Sequence, residues 1–125
     1  MSVSDEELQR IFAEAQVRMQ ETNRQLALVR SQLSTKQRDK RVGELTAKEL
    51  SALGSDVATY RAIGKMFIQA DLGLLKKELA AKTADAEKET KALERTQTRL
   101  EKEFEQAQNM IKDILHARKL TAANA

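Results

Sequence analysis

Cysteine and proline are absent from this 125-residue chain, and histidine occurs once. Without cysteine there is no disulfide framework, no thiolate nucleophile and no thiolate zinc site. One histidine leaves too few parts for a His-based metal cage or for Ser-His-Asp and Cys-His catalysis. Aromatic residues number four, Phe12, Tyr60, Phe67 and Phe104, and glycine stands only at 43, 54, 64 and 73. The hydrophobic fraction is 41%, but 18 of those residues are alanine, so a thick globular core lacks material. A chain this short that spends its residues on Ala, Leu, Glu, Lys, Gln and Arg reads as one structural unit of long helices or coiled coil.

Neither charge sign dominates. There are 22 basic and 19 acidic side chains, a net charge of +3, and the signs alternate along both halves of the chain. That distribution argues against a nucleic-acid stripe. The one local excess, Lys36-Gln37-Arg38-Asp39-Lys40-Arg41, reads as a solvated helix end whose cations complement the helix dipole. No apolar run approaches the roughly 20 residues needed to span a bilayer. The opening Met1-Ser2-Val3-Ser4-Asp5-Glu6-Glu7 is acidic and polar, unlike a secretory or mitochondrial leader, so the chain reads as soluble and unexported. No Gly-rich phosphate loop, metal-ligand spacing or nucleophile elbow occurs, and His116 reads as a helix C-terminal residue. The expectation is a protein that is not an enzyme, with no cofactor, no metal and neither nucleic acid nor membrane as a partner.

What the chain does contain is heptad spacing. From Leu8 the apolar positions advance by alternating fours and threes through Phe12, Ala15, Met19, Thr22, Leu26, Val29 and Leu33 to Lys36 and Lys40. This predicts a helix over about 5–41, capped by Ser4 and opened by Asp5, Glu6 and Glu7 at the positive end of its dipole. A second column, Leu79, Ala86, Leu93, Leu100, Ala107 and Ile114, recurs every seven residues and predicts a helix over about 72–118, roughly 70 Å long. Its other column is expected at Leu75, Lys82, Glu89, Thr96, Glu103, Met110 and Ala117, with Asp71 as N-cap and 121–125 as a loose tail. The expected coiled-coil core is therefore Leu8, Phe12, Met19, Leu26, Val29, Leu33, Leu79, Leu93, Leu100, Met110 and Ile114. An antiparallel register in which facing residue numbers sum to about 122 would pair Leu8 with Ile114, Phe12 with Met110 and Val29 with Leu93.

Between the helices, Thr46-Ala47-Lys48-Glu49 matches a capping box and predicts a short separate helix over about 46–54, ended by Gly54. Beyond it the composition turns β-branched and aromatic. Val57, Tyr60, Ile63, Met66, Phe67 and Ile68 surround Gly64-Lys65, the signature of a β-hairpin over about 57–69 with a type II′ turn. An isolated hairpin is marginal in water, so this one predicts a partner. Apolar residues outside the seam, Ile11, Phe104, Ile111, Leu115 and Leu120, gather near the expected free end of the helix pair. They read either as a binding patch or as a widening of the seam.

The stretch Val57-Ala58-Thr59-Tyr60-Arg61-Ala62-Ile63-Gly64-Lys65-Met66-Phe67-Ile68, set between two heptad helices in a chain of this size, resembles the β-class prefoldin subunits, in the form found in the eukaryotic subunit 1 branch of that family. The resemblance implies a mainly α fold, a long antiparallel two-helix coiled coil with a hairpin between the helices, forming a single domain. It implies a heterohexamer of α- and β-class subunits whose hairpins join into a β-barrel platform, so that Val57, Tyr60, Ile63, Gly64, Met66, Phe67 and Ile68 serve assembly. It further implies capture of non-native actin and tubulin at the coiled-coil ends and delivery to the cytosolic chaperonin without ATP, in the cytoplasm and with a nuclear location left open. The competing reading from the residues alone is a structural tether or scaffold that binds one folded partner. A third is a nucleic-acid-associated factor using Lys36 to Arg41.

Overall fold

The computed structural model describes residues 4–123. The fold is mainly α: α1 (Asp5–Ser51), a hairpin of β1 (Thr59–Ile63) and β2 (Met66–Ala70), then α2 (Leu72–Ala123). Both helix starts are capped as their sequences predict. The Glu7 backbone N–H donates to Ser4 Oγ at 3.3 Å and the Leu74 N–H to Asp71 Oδ2 at 3.2 Å. Each bond satisfies a first-turn donor that has no partner inside its helix.

α1 does not stop near 41, and there is no separate helix over 46–54. The seam's alternating spacing simply continues through Gly43, Ala47 and Leu50. Thr46 is no N-cap. Its Oγ1 donates to the Val42 carbonyl at 2.7 Å, four residues back inside a continuous helix. A capping box requires a non-helical first residue, and the residues before Thr46, Gly43 among them, are helical. The helix ends instead where Ala52 and Leu53 turn back to the carbonyls of Glu49 and Leu50 with the tighter i to i+3 bonds of a final turn. α2 likewise runs past 118. The expected loose tail is helical to Ala123, and its last two residues lie outside the described residues.

The chain divides into two compact units, Met1–Ser31 with Glu94–Ala125, and Gln32–Leu93. In the first, α1 buries Leu8, Ala15, Thr22, Leu26 and Val29 while α2 buries Leu100, Ala107 and Ile114. Ile11, Phe12, Met19, Phe104 and Ile111 are half-buried beside them. Leu100 is the most enclosed large side chain, 1% exposed. The second unit buries fewer large apolar groups. Leu33, Gly43, Ala86 and Thr90 are buried, and Leu50, Leu72, Leu75, Leu79 and Leu93 are half-buried. Its helices come close together at Gly43, where a Cβ would lie 2.3 Å from Thr83 Oγ1. The expected register would have placed Leu79 there, so within this unit the register is displaced by about one helical turn.

The second seam column of α2 also differs from expectation. It follows the i+4 positions, with Thr83 half-buried, Thr90 buried, and Gln97, Phe104 and Ile111 half-buried; of the expected column Lys82, Glu89 and Met110 are exposed, while Leu75, Thr96, Glu103 and Ala117 are half-buried beside the seam. Met110, expected in the core, is 43% exposed. A single seven-residue column is compatible with a second column on either side. The i+4 choice wins because it turns Phe104 and Ile111 inward and leaves Lys82 and Glu89 in water, which gains apolar burial and avoids desolvating charge.

The hairpin is antiparallel, with Thr59 opposite Ala70, Tyr60 opposite Gln69, Arg61 opposite Ile68, Ala62 opposite Phe67 and Ile63 opposite Met66. Gly64 has φ 62°, and no other described residue has positive φ. Positive φ at the first central position with negative φ at Lys65 is the sign pattern of the type II′ turn that suits the twist of a two-residue hairpin.

Candidate functional site

The hairpin register sorts its side chains onto two faces. Tyr60, Ala62, Phe67 and Gln69 share one face, and Thr59, Arg61, Ile63, Met66, Ile68 and Ala70 share the other. Both faces carry large apolar groups, and neither is covered. Phe67 is 76% exposed, Met66 64%, Tyr60 58% and Ile63 53%, with Ile68 and Val57 also exposed. The sheet has two strands, so the outer edge of each leaves its backbone donors and acceptors unpaired. A five-residue ribbon with bare edges and two apolar faces is marginal alone and suited to strand addition by other chains.

The ribbon is held from one side. Arg61 forms an ion pair with Glu78 on α2, which ties the face carrying Ile63, Met66 and Ile68 toward the first turns of that helix. Thr59 Oγ1 donates to the Ala70 carbonyl at 2.6 Å and closes the open end of the ribbon. Val57 lies just before β1, its N–H bonded to the Gly54 carbonyl in the turn that leads out of α1. The expected assembly residues Val57, Tyr60, Ile63, Gly64, Met66, Phe67 and Ile68 therefore lie together on one solvent-facing ribbon with its turn.

The four residues expected to bind clients do not share one environment. Ile11, Phe104 and Ile111 are half-buried in the helix contact of the first unit, whereas Leu115 is 45% exposed. The exposed apolar groups on the last turns of α2 are instead Met110, Leu115 and Leu120. The sequence reading missed Met110 because it chose the wrong second column. It also missed Val42 and Leu45, each 54% exposed. Both fall off the alternating seam once α1 is continued through Ser51.

Several ion pairs lie at the surface. In the second unit Lys36 Nζ lies 2.6 Å from Glu89 and Lys40 Nζ 3.8 Å from Glu87, both across from α1 to α2. The Glu89 carboxylate beside Lys36 raises that ammonium's pKa above its ordinary value, first through the hydrogen bond and then through Coulomb attraction. In the first unit the hydrogen bond from Arg24 holds the Glu21 carboxyl below the usual range, with Gln25 adding a second bond. These are solvated pairs of the kind that adds little stability. Among the described residues, no three His, Cys, Asp or Glu side chains converge on a possible metal position. No described helix is long and apolar enough to cross a membrane.

Comparison with known proteins gives a consistent result. The sequence profile of one family, described as prefoldin subunit, matches residues 13–118. The probable prefoldin subunit 1 of Schizosaccharomyces pombe is 32% identical over 91 residues, which cover 73% of this chain and 81% of that one. Prefoldin subunit 1 of Homo sapiens is 30% identical over 115 residues, covering 92% and 94%. Among solved structures, the crystal structure of the prefoldin beta subunit from Thermococcus strain KS-1 superimposes with a TM-score of 0.74 over 90% of this chain and 96% of that one. Its sequence identity of 20% makes this a likeness of fold.

Proposed function

The chain belongs to the prefoldin subunit family, and from that premise we propose that it works as one β-class subunit of a heterohexamer with other α- and β-class subunits. The observation that carries this reading is the uncovered hairpin. Tyr60, Ile63, Met66 and Phe67 are each more than half exposed on a ribbon with two unpaired edges. Burial of such side chains is worth about 1.5–3 kcal/mol each, so a surface of this kind is stable only when other strands cover it. The α- and β-class partners supply those strands.

In this reading the complex captures non-native proteins, actin and tubulin among them, and passes them to the cytosolic chaperonin in the cytoplasm. No ATP is hydrolysed and no covalent step occurs. Capture uses weak apolar contacts from several subunits at once, which gain affinity through effective concentration. In this chain the contacts are assigned to Met110, Leu115 and Leu120, which are exposed on the last turns of α2, with Phe104 and Ile111 serving the helix contact beneath them.

The test is suppression of aggregation when chemically unfolded actin is diluted into the purified complex, followed by light scattering. The wild-type complex should suppress aggregation equally with and without ATP. Replacing Met110, Leu115 and Leu120 together by Ser should raise the complex concentration needed for half-suppression by about tenfold, leaving the mass of the complex unchanged. Unchanged suppression by the variant would move the client site elsewhere. A wild-type complex without suppression would leave the tether or scaffold reading standing.

A further inference from the structure

Between Leu33 and Leu50 the seam of α1 carries Lys36, Lys40, Gly43 and Ala47, and between Leu79 and Leu93 the seam of α2 carries Thr83, Ala86 and Thr90. No large aliphatic or aromatic side chain stands in either stretch of this seam. The contact layer consists of alanine and threonine methyls, a glycine backbone and lysine stems. Thr90 spends its hydroxyl on its own helix, donating to the Ala86 carbonyl at 2.7 Å, so it adds no bond across the seam. What crosses the seam here is charge: Lys36 to Glu89 at 2.6 Å and Lys40 to Glu87 at 3.8 Å. Glu87 is shared with Lys91 of its own helix, also at 3.8 Å.

Water reaches these pairs. The lysine side chains are 37% and 34% exposed and their glutamate partners 54% and 48%. An open crevice of about 720 Å³, lined by Thr35, Arg38, Asp39, Lys82, Thr83 and Asp85 among others, runs along the same stretch. Pairs so exposed are screened as the Debye length falls from about 10 Å at 0.1 M salt to about 3 Å at 1 M. A lone helix in water is only marginally stable, so a stretch that loses its neighbour also loses protection of its own backbone amides.

We propose that residues 36–43 of α1 and 83–90 of α2 form a charge-held segment that opens locally ahead of the rest of the helix pair, with ionic strength setting how often it opens. The opening follows from this seam alone. Only its use, letting a subunit adapt to clients of differing size, rests on the function proposed above.

The test is amide hydrogen exchange by mass spectrometry on the full chain in its complex, at about 0.05 M and about 0.5 M sodium chloride. Higher salt should speed exchange over 36–43 and 83–90 by about three- to tenfold, the range expected for losing two exposed pairs. Over 22–29 and 100–107 exchange should change by less than about twofold, because those stretches are held by buried Leu26, Val29, Leu100 and Ala107. Glu87→Gln with Glu89→Gln, both exposed and outside the core, should exchange at low salt as fast as the wild type does at high salt. Lys36→Leu with Lys40→Leu should slow exchange over the segment and remove its salt dependence. Equal exchange along both helices, or a segment whose exchange ignores both salt and the two Glu→Gln changes, overturns the proposal. Either readout is independent of client capture, so failure here is distinguishable from failure of the chaperone reading.

Discussion

At Gly43 two opposed effects meet. Glycine in a helix interior costs about 0.5–1 kcal/mol relative to alanine, so Gly→Ala at such a site ordinarily stabilises. Here the added methyl would lie 2.3 Å from Thr83 Oγ1, well inside van der Waals contact. Overpacking of this kind costs about 1–3 kcal/mol, and the β-branched Thr83 has few rotamers into which it can withdraw. Gly43→Ala should therefore destabilise the chain by about 1–2 kcal/mol in thermal or urea unfolding. Thr83→Ala in the same chain should restore most of the loss, giving a favourable coupling in the double-mutant cycle. A stabilised Gly43→Ala single variant would show that the two helices do not approach there. This role was not legible in the sequence. Gly43 carries no sign of its neighbour on the other helix. Gly64 was legible, because a Gly-X pair between two β-branched and aromatic runs constrains φ locally, and its φ of 62° follows from that alone.

For whole elements, legibility follows how local the determining physics is. The alternating spacing of α1 from Leu8 to Lys40 marks the seam that the structure uses, and the caps at Ser4 and Asp71 depend only on residues three positions away. The end of α1 and the second column of α2 depend on the partner helix. Thr46 is compatible with cap or interior, and column positions i+3 and i+4 are equally regular in sequence. Only packing decides that Phe104 and Ile111 turn inward and Met110 outward. The hairpin lies between these cases: its strands and turn were readable, but its lack of any cover within the chain is visible only in the exposures. That exposure separates stability from assembly. Tyr60→Ser with Phe67→Ser should leave the helical circular dichroism and the unfolding midpoint nearly unchanged, within about 0.5 kcal/mol, since neither ring packs in a core. The same pair should weaken co-assembly at least about 100-fold, the loss expected when two aromatic side chains no longer bury surface. A large loss of helicity instead would mean that the ribbon supports its own chain and not an interface.

Across the whole molecule, the scarcities in composition fall into a pattern. With 18 alanines and four aromatics, the chain cannot form a thick core, and within each unit the buried residues are few and lie on the two helices. Tyr60 and Phe67 lie on the open ribbon, while Phe12 and Phe104 lie half-buried in the helix contact of the first unit. Of the large side chains left in water, those on the hairpin and on the last turns of α2 are the ones that the proposed assembly and client capture would cover. The central claim is that this chain completes itself only among other subunits. Native mass spectrometry of the tagged protein purified from its own cells tests it most directly. The account predicts one dominant species containing a single copy of this chain with five different prefoldin-family subunits. A stable monomer, or an oligomer built from this chain alone, would contradict it.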